Sequence, residues 1–173
     1  MNQRYVTREL TLLAMVTAAC VVGRFAFQFI PNFQPLTTIF LLFTFYNGVK
    51  RGIIVAALSL VITSLYFGIG IWTVEQILAY AIILLVFQFL KKIPVFQKNL
   101  ILQVFFAVVA GFLYGFIMSI FDYFIYGMTN YWVYYLQGVS FDAVHAVGNG
   151  IFYVILYPVF RYLNQRNYFS IEK

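Results

Sequence analysis

Charge is what this chain has least of: Asp, Glu, Lys and Arg make up 9% of its 173 residues. A soluble globular domain carries about 25%, so this chain cannot cover its surface with polar groups, and lipid must be the solvent for much of it. Linkers rich in Pro, Gly or Ser, low-complexity tracts and acidic tails are also missing. The organisation expected is one membrane-embedded domain over residues 1–173. Cysteine occurs once, as Cys20 inside the first apolar run, where a lone cysteine is most often a small core residue. Catalytic signatures are lacking too. There is no G-x-x-x-x-G-K-[ST] loop, no H-E-x-x-H, no paired cysteines and no G-x-S-x-G elbow. Neither a metal, a cofactor nor a catalytic residue is assigned.

What is present is apolar and aromatic, at 64% and 21% of the chain. The net charge of +6 does not mark a nucleic-acid binder, because the basic residues lie in short clusters between apolar runs. Such clusters orient membrane helices and anchor anionic head groups. About 20 apolar residues cross a bilayer core. The runs that qualify are Leu10–Ile30, Pro35–Val49, Gly52–Ile71, Val74–Leu90, Leu100–Phe121 and Val139–Leu163, of which the second is the shortest. The first is too long for a signal peptide and precedes no small-residue cleavage motif, so it reads as a retained helix.

Orientation follows from the basic residues. Arg4 and Arg8 precede the first run, Lys50 and Arg51 follow the second, and Lys91, Lys92 and Lys98 follow the fourth; Arg161, Arg166 and Lys173 close the chain. Ten of the 11 Lys and Arg residues thus fall on alternating connections, and only Arg24 does not. The fold class expected is an all-α integral membrane protein with six transmembrane helices and both termini cytoplasmic.

The outward connections are read as Gln28–Thr38, Gly68–Glu75 and Asp122–Gly138, and they hold both tryptophans, Trp72 and Trp132. An interfacial aromatic belt explains part of this. Aromatics concentrated beside Asn32, Gln34, Asn130 and Gln137 also fit a small-molecule pocket open to the outside. Pro31 and Pro35 hold Asn32, Phe33 and Gln34 out of helical form, and irregular backbone at that depth must be buried or line a cavity.

Polar residues inside a bilayer are costly and call for a reason. Asp142, His145 and Asn149, three and seven residues apart, share one face of the last helix and descend from its outer end. They form either a hydrogen-bonded knot or the base of the pocket. Arg24 either snorkels outward, binds an anionic ligand group, or pairs with Asp142 or Asp122, pairing being the default. Glu75 reads as a helix cap. Polar residues thin out towards the cytoplasmic end, which disfavours a channel. Two stripes of small residues permit close helix approach: Ala14 and Ala18 in the first helix, and Ala107, Gly111, Gly115 and Ser119 in the fifth.

The basic lead RYVTRELTLLAMVTAACVVGR with its A-x-x-x-A pair, the loop PNFQPLTTI and the segment FDAVHAVGNGIFY together resemble the substrate-binding S component of an energy-coupling-factor (ECF) vitamin transporter. The likeness spans nearly the whole chain and is nearest the members for hydroxymethylpyrimidine, pantothenate or cobalamin. It implies a high-affinity subunit of an ABC importer in the bacterial plasma membrane. That subunit takes a water-soluble vitamin from outside and works with a transmembrane coupling protein and two cytoplasmic ATPases. It implies that Ala14 and Ala18 dock on the coupling protein. By position, the ligand would meet Asn32, Gln34, Trp72, Trp132, Asp142, His145 and Asn149, with Arg24 open to a carboxylate. The rival expectation is a small intramembrane enzyme using His145 and Asp142 on a lipid or acyl substrate.

Overall fold

The computed structural model describes residues 3–169. Of the expected basic anchors, Lys173 lies outside the described residues, as does the side chain of Arg4. The described chain is all helical: α1 (Gln3–Ala26), α2 (Leu36–Asn47), α3 (Val49–Phe67), α4 (Ile71–Leu90), α5 (Pro94–Lys98), α6 (Leu100–Tyr126) and α7 (Tyr131–Gln165). Five of them, α1, α3, α4, α6 and α7, are long and apolar enough to cross a membrane. Each apolar run of the sequence matches one helix, and α5 is a short piece of the connection between α4 and α6.

The shortest run is the centre of the molecule. With 12 residues, α2 rises about 18 Å, well under a bilayer core of about 30 Å. It packs against all five long helices. Leu36 to Thr44 are all buried, and Leu36, Phe40, Leu41, Leu42 and Phe43 are fully so. A helix enclosed on every side does not meet lipid, so its length is set by its neighbours rather than by the bilayer. Gly48 alone joins α2 to α3, with φ 85° and ψ 161°, a backbone state that side chains strongly disfavour.

The most extensive helix pair is α6 against α7, and the small stripe of α6 makes it. A Cβ on Gly111 would stand 2.6 Å from the Ala146 backbone, and one on Gly115 would overlap the Asp142 carboxylate. Ala107 and Ala110 are fully buried. Removing side chains brings the backbones close enough for dispersion to hold them where lipid supplies no hydrophobic drive. The stripe of α1 does the opposite. Thr7, Thr11, Ala14 and Ala18 all face outward, while Leu13, Thr17 and Cys20 face the bundle.

The connections at the aromatic end are shorter than the sequence indicates. Helix α4 begins at Ile71 and α7 at Tyr131, and α6 runs on to Tyr126, so the links are Gly68–Gly70 and Gly127–Asn130. Two capping devices explain the last of these. Gly127 ends α6 in the left-handed region (φ 63°, ψ 42°), and the Asn130 side chain starts α7 by accepting from Val133 N at 3.2 Å. Asn130, read as a pocket residue, is a helix cap that also lines a surface pocket with Gln137.

Candidate functional site

Most of the buried polar side chains among the described residues lie towards the aromatic end of the bundle, opposite the basic clusters. On α7, Asp142, His145 and Asn149 are buried along one face, as their spacing requires. His145 Nε2 lies 2.8 Å from Thr37 Oγ1 of α2, which lies 3.0 Å from the Tyr80 hydroxyl of α4. Tyr114 of α6 stands edge-on to the His145 ring at 5.3 Å and beside Tyr80 at 4.9 Å. Four helices thus close a ring of polar groups around the top of α2. Thr38 ties it one turn lower by donating to the Asn149 carbonyl at 3.0 Å.

This ring is partly a knot and partly unfinished. His145 Nδ1, both amide atoms of Asn149 and Asp142 Oδ2 have no hydrogen-bond partner. Asp142 and His145 do not bond to each other, since the carboxylate lies against the Cβ-less Gly115 and His145 turns to Thr37. Glu75 belongs to the same end. It is 2% exposed, and neither carboxylate oxygen has a partner. The capping reading of Glu75 is overturned: α4 begins at Ile71 on an extended Gly70, which places Glu75 past the first turn with its side chain turned inward. Beside it, Gln76 lies next to the Tyr114 hydroxyl and leaves its own Oε1 unpartnered. A buried polar group without a partner costs about 1–3 kcal/mol, and more when charged. Such a concentration of them marks a place where something else supplies the bonds.

Arg24 does not pair with Asp142 or Asp122. Helix α1 packs on α3 and α2, so the guanidinium reaches across to Thr63 Oγ1 at 2.7 Å and lies over the Phe67 ring at 5.3 Å. Among the described residues the ion pair observed is Arg51–Glu9, at the basic end. Arg24 instead floors a cleft of about 170 Å³ with Phe27, Gln28, Asn32, Gln34 and Phe67. Asn32 adopts φ 58°, so the two prolines do hold this segment in a non-helical turn that lines a cavity. Asn32, Gln34 and Arg24 are thus brought together, on the α1 side of the buried ring.

Trp72 and Trp132 are not brought to the ring. Each stands in the first turn of its helix, 45% and 62% exposed, as interfacial rings do. The tyrosines divide. Tyr131 and Tyr135 stack at 6.1 Å with Phe116 edge-on to both, and they lie in the electrostatic field of Asp142. Tyr134 donates to Asp122 Oδ2 at 2.8 Å, lies in the field of Glu75, and lines a surface pocket of about 360 Å³ with Met128, Thr129 and Gln137.

Sequence reasoning did not single out Thr37, Gln76, Tyr80 or Tyr114, and it misjudged Glu75. The signal available was spacing: Gln76 and Tyr80 are four apart on α4, so one face of an otherwise apolar helix is polar. Among the described residues no three of His, Cys, Asp and Glu converge as metal ligands. Compared with known protein families, with curated proteins and with solved structures, the chain matches none.

Proposed function

We propose that this chain is the substrate-binding S component of an ECF-type vitamin importer. It crosses a bacterial plasma membrane six times with both termini in the cytoplasm. The observation that carries the reading is the buried polar ring at the end opposite the basic clusters, with acids, an imidazole and amides left open to a ligand. Under the positive-inside rule that end faces outward, where a solute is captured. The lack of a nucleotide loop agrees with energy supplied by partner ATPases. The outward-facing Ala14 and Ala18 agree with a helix that meets a coupling protein, and α1 is the least buried of the five long helices.

Native mass spectrometry of the protein as purified tests the binding half of the proposal. One unmodified vitamin-sized molecule retained per chain supports it. Turnover of a lipid or acyl substrate, abolished by His145→Ala, sinks it in favour of an intramembrane enzyme. Replacing Ala14 and Ala18 together with leucine tests the docking half. Uptake in cells should fall to background while the purified chain binds its ligand unchanged; binding and uptake lost together would overturn the docking role.

A further inference from the structure

Away from the buried ring, a groove of about 610 Å³ opens between α1 and the last half of α7. Helix α1 packs on α3 and α2, and α7 on α6 and α2, which leaves the two outer helices parted over α2. Met15 and Ala19 form one wall, Val159 and Leu163 the other, and Ile39 of α2 the floor. Met15 is 65% and Val159 49% exposed, so in a membrane the groove faces lipid. An empty apolar groove forfeits the dispersion contacts of its lining, and an acyl chain restores them.

One end of the groove differs from the rest. Arg8 is the single charged side chain among the lining residues. One of its N–H groups donates to the Asn167 carbonyl at 2.5 Å, and no carboxylate among the described residues pairs with it. A guanidinium carries five donors in a fork that fits phosphate oxygens. From Arg8 to Ala19, α1 rises about 16 Å, close to half of a bilayer core of about 30 Å. The groove therefore spans one leaflet, cationic at the basic interface and apolar to the middle of the membrane.

We propose that the groove holds one anionic phospholipid of the leaflet on the basic side, its phosphate on Arg8 and one acyl chain between α1 and α7. The basic clusters of that end draw such lipids to it. Ala14 and Ala18 do not line the groove, so the lipid leaves open the face of α1 proposed for docking. Nor does its binding depend on what the outer ring captures.

The test uses the full chain, freed of co-purified lipid in detergent and titrated with phosphatidylglycerol or phosphatidylcholine under native mass spectrometry. Phosphatidylglycerol should bind at about one per chain and survive activation that strips phosphatidylcholine. Phosphatidylglycerol carrying a diazirine on its acyl chain should crosslink to the α1 and α7 walls of the unmodified protein, which decides the site whatever the variants do. Arg8→Gln should weaken phosphatidylglycerol binding by about fivefold, the effect of one basic residue at an anionic surface. Ala19→Trp, which fills the groove, should abolish the crosslinks. Lys50→Gln, at the same end but outside the groove, should change binding by less than about twofold. Equal retention of the two lipids, crosslinks spread over the lipid-facing sides of α3 and α4, or binding indifferent to Arg8→Gln would each overturn the proposal. A chain that takes no lipid but dimerises until Ala19→Trp separates it would overturn it in favour of a second copy.

Discussion

Helices α6 and α7 carry two buried polar clusters, and the contrast between them separates structure from function. Near the basic end, Gln103 is 1% exposed and satisfied at every atom. Its Nε2 donates to the Phe96 and Gln97 carbonyls, each at 3.0 Å, and its Oε1 accepts from the Tyr153 hydroxyl at 3.2 Å. That cluster ties the α4–α6 connection to α7 and has nothing left to offer. About one to three turns along the same seam, Asn149, His145 and Asp142 are also buried but keep open lone pairs and donors. The orphaned atoms elsewhere are neutral oxygens of Thr17, Thr44, Asn47 and Gln88. The same bundle completes one polar cluster and leaves the other with unanswered groups.

The seam itself should show the largest effect. Gly111→Val sets a side chain against the Ala146 backbone, which cannot move aside as a flexible side chain would. It should cost about 3 kcal/mol, the upper end of the overpacking range, and disturb both clusters equally, read as a lower unfolding midpoint in detergent. Gln103→Leu should cost about 2 kcal/mol, because it orphans the Tyr153 hydroxyl and two carbonyls together. Denaturation of the variant by a chaotropic detergent series would check it, and an unchanged midpoint would erase the contrast drawn above. Asp142→Asn should lose less than about 1 kcal/mol or gain stability, since it removes an uncompensated buried charge. If it destabilised as much as Gln103→Leu, the two clusters would both be structural.

The smallest effect concerns the basic end. Lys91 caps α4, donates to the Phe45 carbonyl and lies over the Phe45 ring. Burial lowers its pKa from the ordinary 10.5. The unfolded chain then binds that proton more tightly, so stability rises with pH in the window between the folded value and 10.5. Lys91→Met should abolish this slope in a pH series of unfolding midpoints, and a slope that persists would assign it to another group.

Much of the bundle is legible in the amino-acid sequence. Each apolar run became a helix, because backbone removed from water must satisfy its hydrogen bonds within the segment. The stripe of Ala107, Gly111, Gly115 and Ser119 reads as a site of close helix approach, and in α6 its glycines lie against Ala146 and Asp142 of α7. The shared face of Asp142, His145 and Asn149 follows from helical spacing alone. The ends of α4, α6 and α7 were misplaced, because tyrosine and tryptophan read as connection when they occupy first and last helical turns. Glu75 was misread for the same reason: its depth in α4 depends on where the helix starts, and Gly70 sets that.

Helix-forming runs, the segregation of basic from aromatic connections and the faces of individual helices are local properties, and the amino-acid order alone determined them. Which face meets which neighbour is not local. That Arg24 turns to Thr63 and not to Asp142, that Thr37 of the short α2 reaches His145, and that Glu75 points inward with no partner depended on how the helices pack around α2. Periodicity aims a side chain, but only the neighbouring helix decides whether its hydrogen bonds are answered.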